Sequence, residues 1–409
     1  MPQDLPSSTS ILAVTSELPW PLDSGGHLRS YHLLRRLACD HRVTLLVPAA
    51  HDATDAVEAL GAAGIATRVV SSSLGGPARQ AATAAIAALR SEAYVMYRRH
   101  RHGAVAAVLP QVCREVRADV LYFDHLDSFV YPDYPGLTLV GDLHNVYSTL
   151  LARTAADETR AIRRTYLTRE ARLLARAESA AARRAHLLMT VSADDQRHFA
   201  GLGAARVEVV PNGVDCAGYA GLPAGRRGAP LVMFLGAMSW TPNALAAEFL
   251  ACEVLPTLQA TRPDVRLRIV GRDPSPRLRR LAERPGVEVT GSVPDVRPHL
   301  RDATLLAVPL NAGGGTRLKI LEAFAAGLPV VSTPIGCEGI DAIPGHHLVV
   351  AELESFTHAL AGALQQADRL TDMAVAARQL VEQRYDWDAI GRSASDAIAE
   401  TVVARRRVS

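Results

Sequence analysis

Short β-branched apolar runs alternate with longer Ala-, Leu- and Arg-rich segments of helical period along almost all of the 409 residues. That alternation confines the chain to βα units wound around parallel sheets. In the first half it predicts strands at 11–15, 43–47, 67–70, 120–123, 137–140, 188–191 and 207–210. A polar, glycine-rich bridge, CAGYAGLPAGRRGAP, then follows VPNGVD and breaks the rhythm before a fresh apolar strand, LVMFLG. The second half predicts strands at 231–235, 267–270, 287–289, 305–308, 330–332 and 348–350, followed by two helical segments, the last over about 388–404. The expected organisation is a doubly wound α/β domain over 1–211, a second over 212–386, and a C-terminal helix, 387–409, packing back on the first. Open parallel sheets bind ligands beyond the carboxyl ends of their strands, so chemistry is expected in a cleft between the two domains.

Bulk charge excludes one large class of partner. With 44 basic and 42 acidic side chains the net charge is +2, which gives no footprint for nucleic acid. No run of about 20 apolar residues is present to span a bilayer. The amino terminus, MPQDLPSSTSILAV, lacks the basic start and long apolar core of a secretory signal, so a cytoplasmic location is expected. Five cysteines, Cys39, Cys113, Cys216, Cys252 and Cys337, are scattered without CxxC spacing and read as reduced packing residues.

Lysine and asparagine are scarce beside abundant arginine, so the survivors are informative. Lys319 is the one lysine among the 44 basic residues, and the four asparagines are Asn145, Asn212, Asn243 and Asn311. All five fall at junctions between predicted elements. Lys319 lies in NAGGGTRLKILEAFAAGLPVV, where Gly313, Gly314 and Gly315 permit positive φ and close approach of backbone, and Thr316 can cap a helix starting near Arg317. Exposed N–H groups, the positive end of the helix dipole, and the cations Arg317 and Lys319 would together hold a diphosphate. A lysine ammonium is a compact point charge that reaches between phosphate oxygens, unlike the planar guanidinium. Glu322 shares the helical face of Lys319 and could accept both hydroxyls of a ribose. The plain structural alternative is a glycine turn with a surface ion pair, which would contribute little.

The run TRLKILEAFAAGLPVVSTPIGCEGI resembles the donor-binding segment of family 4 retaining glycosyltransferases of the GT-B fold, in the subgroup with a KxLEAxAxGxPVV signature. GAMSWTPN, IVGRDP, VTGSVPDV, AVPLNAGGG and YDWDAI match in order in the second half, as do LPWPLDSGGHLRSYHLL, DLHN, VSADD and VPNGVD in the first. The resemblance implies two Rossmann-like domains and a nucleoside diphosphate sugar as co-substrate, UDP by default, with no metal. Glu322 matches the second glutamate of the family's EX7E motif, which binds the ribose. Gly314 stands where the first, sugar-contacting glutamate is usual, so donor identity is open. The family's diphosphate-binding arginine and lysine after the first strand of the second domain are replaced by Ala237 and the Pro242-Asn243 pair. Arg317 and Lys319 are expected to supply that charge, with Asn243 beside the donor and the base near Gly291 and Val293.

In the first half, Gly25 and Gly26 precede a helix and could approach the transferring sugar and phosphate. Arg29, one turn on, is a candidate phosphate or supporting contact, with solvent exposure the alternative. His144 in GDLHN would, by resemblance, lie beside the reacting sugar; His125 in YFDHLD and Asn145 are further acceptor-side candidates. The segment 153–184 carries nine arginines against four acids, with Ile162, Tyr166, Leu173 and Ala177 spaced for one face. It reads as a long amphipathic helix, with attraction to an anionic bilayer as the alternative. Asp386 and Asp388 spell DxD but introduce the last helix, where aspartate is an ordinary cap and Trp387 a core anchor.

The expected reaction moves a hexose-type sugar to a hydroxyl of a glycan, lipid-linked or small natural-product acceptor, with Arg317, Lys319 and His144 in catalytic roles. Two alternatives stay open: a sugar-nucleotide epimerase or hydrolase of the same architecture, and a catalytically silent partner protein.

Overall fold

The computed structural model describes residues 8–22, 24–50, 52–72, 74–220, 229–312 and 317–407. The strand SILAV, β1 (Ser10–Val14), is buried at every position, as a strand covered on both faces by helices must be. It is an interior strand of a seven-stranded parallel sheet with β2 (Arg42–Ala49), β3 (Ala66–Ser71), β4 (Val120–Asp124), β5 (Thr138–Leu143), β6 (Leu187–Thr190) and β7 (Val207–Val209). The order is β3-β2-β1-β4-β5-β6-β7, so the winding reverses between β1 and β4. A second parallel sheet, β10-β9-β8-β11-β12-β13, is built from β8 (Leu231–Leu235), β9 (Arg266–Val270), β10 (Val287–Gly291), β11 (Leu305–Val308), β12 (Val330–Ser332) and β13 (Val349–Val350). Its reversal falls between β8 and β11. Each reversal opens a crevice at the carboxyl ends of its strands, the place where such sheets receive ligands. Both sheets are Rossmann-like, and all thirteen strands fall where the apolar rhythm predicts them.

The chain divides into two compact units, Met1–Pro211 with Ile390–Ser409, and Asn212–Ala389. The last helix, Trp387–Arg406, returns to the first unit, where Ser395 Oγ donates to Asp40 Oδ2 at 2.9 Å and Arg405 donates to the Leu137 carbonyl. Asp386 accepts from the Asp388 N–H at 2.9 Å at its start, and Trp387 is buried, as capping and core roles require.

Two departures from the sequence reading are local. The segment 153–184 is not one helix but the ends of a helical hairpin, Tyr147–Asp157 and Ala161–Arg184. Glu158 accepts from the Arg160 N–H at 2.9 Å, a side-chain turn that competes with helix continuation. Glu178 then ties the hairpin together, accepting from the Ser148 N–H and hydroxyl at 3.0 and 2.5 Å. Leu173 is buried, but Ile162 and Tyr166 are exposed, as are all the residues from Ala161 to Tyr166 at the start of the longer helix. The second departure is at Gly25 and Gly26, which are the first residues of the helix Gly25–Asp40 rather than a turn before it. Ser24 caps that helix, its side chain accepting from the His27 N–H.

In the second unit, β8 and β9 end in a contact only glycine permits. Gly271 has φ +153°, and a Cβ there would lie 1.7 Å from the Gly236 carbonyl oxygen. Gly271→Ala is expected to cost about 2–4 kcal/mol, from overpacking and an unfavourable backbone conformation together, read as a lowered midpoint of thermal unfolding. An unchanged midpoint would show that the two strand ends can separate freely.

Candidate active site

In the first unit, β4 and β5 run in register and place Asp124 opposite Asp142, with His125 and His144 just beyond. His144 Nε2 is shared between the two carboxylates, 2.9 Å from Asp124 Oδ1 and 3.2 Å from Asp142 Oδ2. Asp142, fully buried, also accepts from Arg29, whose Nε lies 2.9 Å from Oδ2 and whose Nη2 lies 2.5 Å from Oδ1. Arg29 is itself 0% exposed, and its Nη1 donates to the carbonyls of Val210 and Pro211 at 2.7 and 3.1 Å. It is therefore neither a solvent-exposed arginine nor free to meet a phosphate. Ser30 Oγ donates to the other Asp124 oxygen at 2.5 Å.

Two cations and two anions thus neutralise one another out of water. Burial alone would lower the His144 pKa, but the Asp124 and Asp142 charges outweigh it and push it up to about 9. Burial would raise the Asp142 carboxyl, yet Arg29 and His144 hold it well below the usual carboxylate range. His125 goes the other way, lowered first by burial and then by the charge of His144. The two rings pack against each other with centroids 3.6 Å apart and planes tilted by 42°. His125 reaches this position with φ +66°, uncommon for a non-glycine residue, while its N–H donates to the Asp142 carbonyl at 2.9 Å.

Gly26 lies against the His125 ring, with 3.7 Å between a built Cβ and either Cε1 or Nε2, and Gly25 is exposed at the helix start. Asn145 is half-buried and hydrogen-bonds the Tyr147 side chain. The structure therefore brings Gly26, Arg29, His125 and His144 together around the carboxyl edge of this sheet. Asp124, His125 and His144 each offer a ligand atom within 4.8 Å of the others. The donor set suits an ion poorly, because His144 Nε2 is committed to two carboxylates and a protonated imidazole does not ligate metal.

In the second unit, the helix Leu318–Ala325 buries Ile320, Leu321 and Phe324 and turns Lys319 and Glu322 outward from that core. Lys319 Nζ donates to Asn243 Oδ1 at 2.7 Å and stands 4.7 Å above the centre of the Phe234 ring at the end of β8. Asn243 is held in turn by donating to the Ala237 carbonyl at 2.9 Å. Burial and the nearby Arg317 charge lower the Lys319 pKa to about 7. Burial likewise pushes Glu322 up to about 7, although the Tyr219 hydroxyl donates to it at 3.3 Å. Arg317 is turned elsewhere: its Nη2 donates to the Ile335 carbonyl at 2.9 Å, so the two cations are not presented as a matched pair. Gly291 ends β10 with φ +73°, and Val293 packs against the core just beyond. Gly313, Gly314, Gly315 and Thr316 lie outside the described residues.

Asp124, Asp142, Phe234 and Tyr219 were not singled out from the sequence. A signal for the aspartates was present, since YFDHLD and GDLHN each set an aspartate within two residues of a histidine at the end of adjacent predicted strands.

The chain matches two family models that divide it as the sheets do, Glycosyltransferase Family 4 over residues 24–217 and Glycosyl transferases group 1 over residues 229–367. Each of the two units thus matches a glycosyltransferase domain model. A phosphatidyl-myo-inositol mannosyltransferase of Mycolicibacterium smegmatis is 32% identical to this chain over 199 residues, 46% of the chain and 50% of that protein. The match thus spans about half the length of that curated relative. Solved structures share the fold of this chain at low identity. A glycosyltransferase from Rickettsia africae covers 97% of the chain and 99% of its own at TM-score 0.65 and 15% identity. Anabaena Alr3699/HepE in complex with UDP and glucose covers 96% and 100% at TM-score 0.66 and 16% identity.

Proposed function

We propose that this glycosyltransferase moves a hexose-type sugar, with retention, from a nucleoside diphosphate sugar to an acceptor hydroxyl. Lys319 carries the reading: the single lysine of the chain is held by Asn243 and the Phe234 ring at the carboxyl edge of the second sheet, one helical turn from Glu322. Lys319 neutralises the diphosphate, Glu322 accepts from the ribose hydroxyls, and the segment near Gly291 and Val293 receives the base. UDP is the expected nucleotide, in keeping with the UDP and glucose held by the Anabaena structure of similar fold. As the glycosidic bond to phosphate breaks, fixed charge rather than solvent takes up the developing negative charge. The leaving phosphate accepts the proton of the incoming hydroxyl on the same face, which gives retention. His144, an imidazolium at neutral pH, acts as a hydrogen-bond donor to a sugar hydroxyl rather than as a base. Asn145 and His125 are acceptor-side contacts in this reading.

Calorimetry with UDP, GDP and dTDP, followed by acceptor trials with the matching sugar nucleotides, tests the proposal. Free Lys319 titrates at about 7, and a bound diphosphate stabilises its charged form, so binding takes up a proton. Glu322 opposes this, because a carboxyl raised to about 7 loses its proton when it accepts ribose hydroxyls. In a Glu322→Gln background the uptake should stand alone, and affinity should fall by up to about tenfold per pH unit above pH 7. Absence of binding by any nucleoside diphosphate would favour the silent-partner reading. Rapid nucleotide release without any acceptor would favour an epimerase or hydrolase.

A further inference from the structure

Tyr219 ends a short turn, Cys216–Tyr219, just inside the second unit. Asp215 holds that turn by accepting from the Gly218 N–H at 3.4 Å, and the Tyr219 side chain packs into the core of the unit. Two arginines from separate helices fix its backbone. Arg297, at the start of the helix Arg297–Asp302, donates to the Gly218 carbonyl at 3.2 Å, and Arg378, in the helix Ala367–Arg384, donates to the Tyr219 carbonyl at 3.4 Å. Arg297 is clamped in turn by Asp295, whose oxygens lie 2.9 and 3.0 Å from its Nε, two residues beyond Val293 on the proposed base side. With its backbone so anchored, Tyr219 donates its hydroxyl to Glu322 Oε1 at 3.3 Å, across 103 residues of chain.

Burial, and after it the Glu322 charge, raise the Tyr219 pKa and keep that hydroxyl a donor. Glu322 has a use for one. Burial pushes its carboxyl up to about 7, and among the described residues the groups that oppose the shift are the Tyr219 hydroxyl and then the Lys319 charge on its own helix. A protonated carboxyl carries a donor of its own and has less capacity to accept, so it suits a pair of ribose hydroxyls poorly. We propose that Tyr219 is a positioning residue for the donor nucleotide: its hydroxyl fixes Oε1 of Glu322 and favours the ionised carboxylate, which then accepts from the ribose diol. This role rests on the ribose contact proposed for Glu322. It adds a preference for ribonucleotides over deoxyribonucleotides that depends on a residue outside the helix of Lys319 and Glu322.

Calorimetry of the full chain with UDP and with deoxyuridine diphosphate, across the neutral pH range, tests the role. Tyr219→Phe keeps the ring in the core, so the thermal midpoint should match the parent's. At pH 7 the variant should bind UDP about tenfold more weakly, the effect of losing a hydrogen bond to a charged group, and deoxyuridine diphosphate should lose less. The pH profile separates positioning from packing. The Glu322 carboxyl is already raised in the fold, and removing a donor raises it further, so the loss of affinity on the acid side should begin at higher pH in the variant. The alkaline loss, set by Lys319, should move little. In Glu322→Gln, which has no carboxyl to ionise, Tyr219→Phe should leave the profile where it was. Affinity lost equally at every pH, or equally for the two nucleotides, would make Tyr219 a packing residue and overturn the proposal, as would a variant that binds like the parent. A parent that binds neither nucleotide would instead remove the donor-site reading, and the role of Tyr219 with it.

Discussion

Lys319→Ala is expected to lower turnover by about 10²–10³-fold, the loss typical when one preorganised charge-stabilising group is removed, while the thermal midpoint stays close to the parent's. The fold should tolerate the change because Lys319 is half-buried, meets the core only through its ammonium over the Phe234 ring, and leaves Asn243 still bonded to the Ala237 carbonyl. Lys319→Arg should not restore activity. The ammonium occupies a gap fixed by Asn243 at 2.7 Å and the Phe234 ring, and a guanidinium there is too large and too planar to hold both contacts. Steady-state kinetics with the donor saturating gives the decisive measurement. Near-parental turnover in the alanine variant would remove Lys319 from the reaction.

Asp142→Asn should have the largest effect on stability, about 3–5 kcal/mol, because it leaves Arg29 and His144 charged and buried without their shared counter-ion. Urea unfolding of the variant measures this. Replacing the pair together, Arg29→Met with Asp142→Leu, should recover much of the loss, since neither charge is then stranded. A double variant no more stable than the single would show that the ion pair itself is not the source. The same cluster sets a pH dependence. His144 is raised in the fold to about 9 from an ordinary 6.5, so its contribution is fully present below 6.5 and is lost as pH rises through about 9. Asp142 is depressed, so its contribution is present above its ordinary pKa and is lost as pH falls in the acid range. Stability should therefore decline on the alkaline side between about pH 7 and 9, and His144→Gln should flatten that slope.

Strand positions were legible because each is a short apolar run between helical segments, a signal that does not depend on partners far along the chain. Lys319 and His144 could be picked out as candidates for a related reason: one sits at the start of a helix and the other just past the end of a strand, each next to a recognisable turn. Arg29 was not. An arginine on a helix looks solvated until the carboxylate that neutralises it is known, and Asp142 lies on a strand far along the chain. The helical hairpin was misread because the break at Glu158 comes from one side-chain-to-backbone bond, which leaves the arginine-rich composition unchanged on either side. Arg317 was expected to face the diphosphate, yet its guanidinium bonds Ile335, a carbonyl whose position depends on the loop after β12.

The return of the last helix to the first unit also has a consequence for how the chain can be made and cut. The second unit is one uninterrupted stretch, Asn212–Ala389, inserted before the first is complete. Ala394, Ala397, Ile398 and Val402, all buried, are synthesised after every residue of that insert. On the ribosome, therefore, the second unit can finish folding while the first still waits for its final helix. A truncation before Ile390 would injure the unit that precedes the insert rather than the one next to the cut.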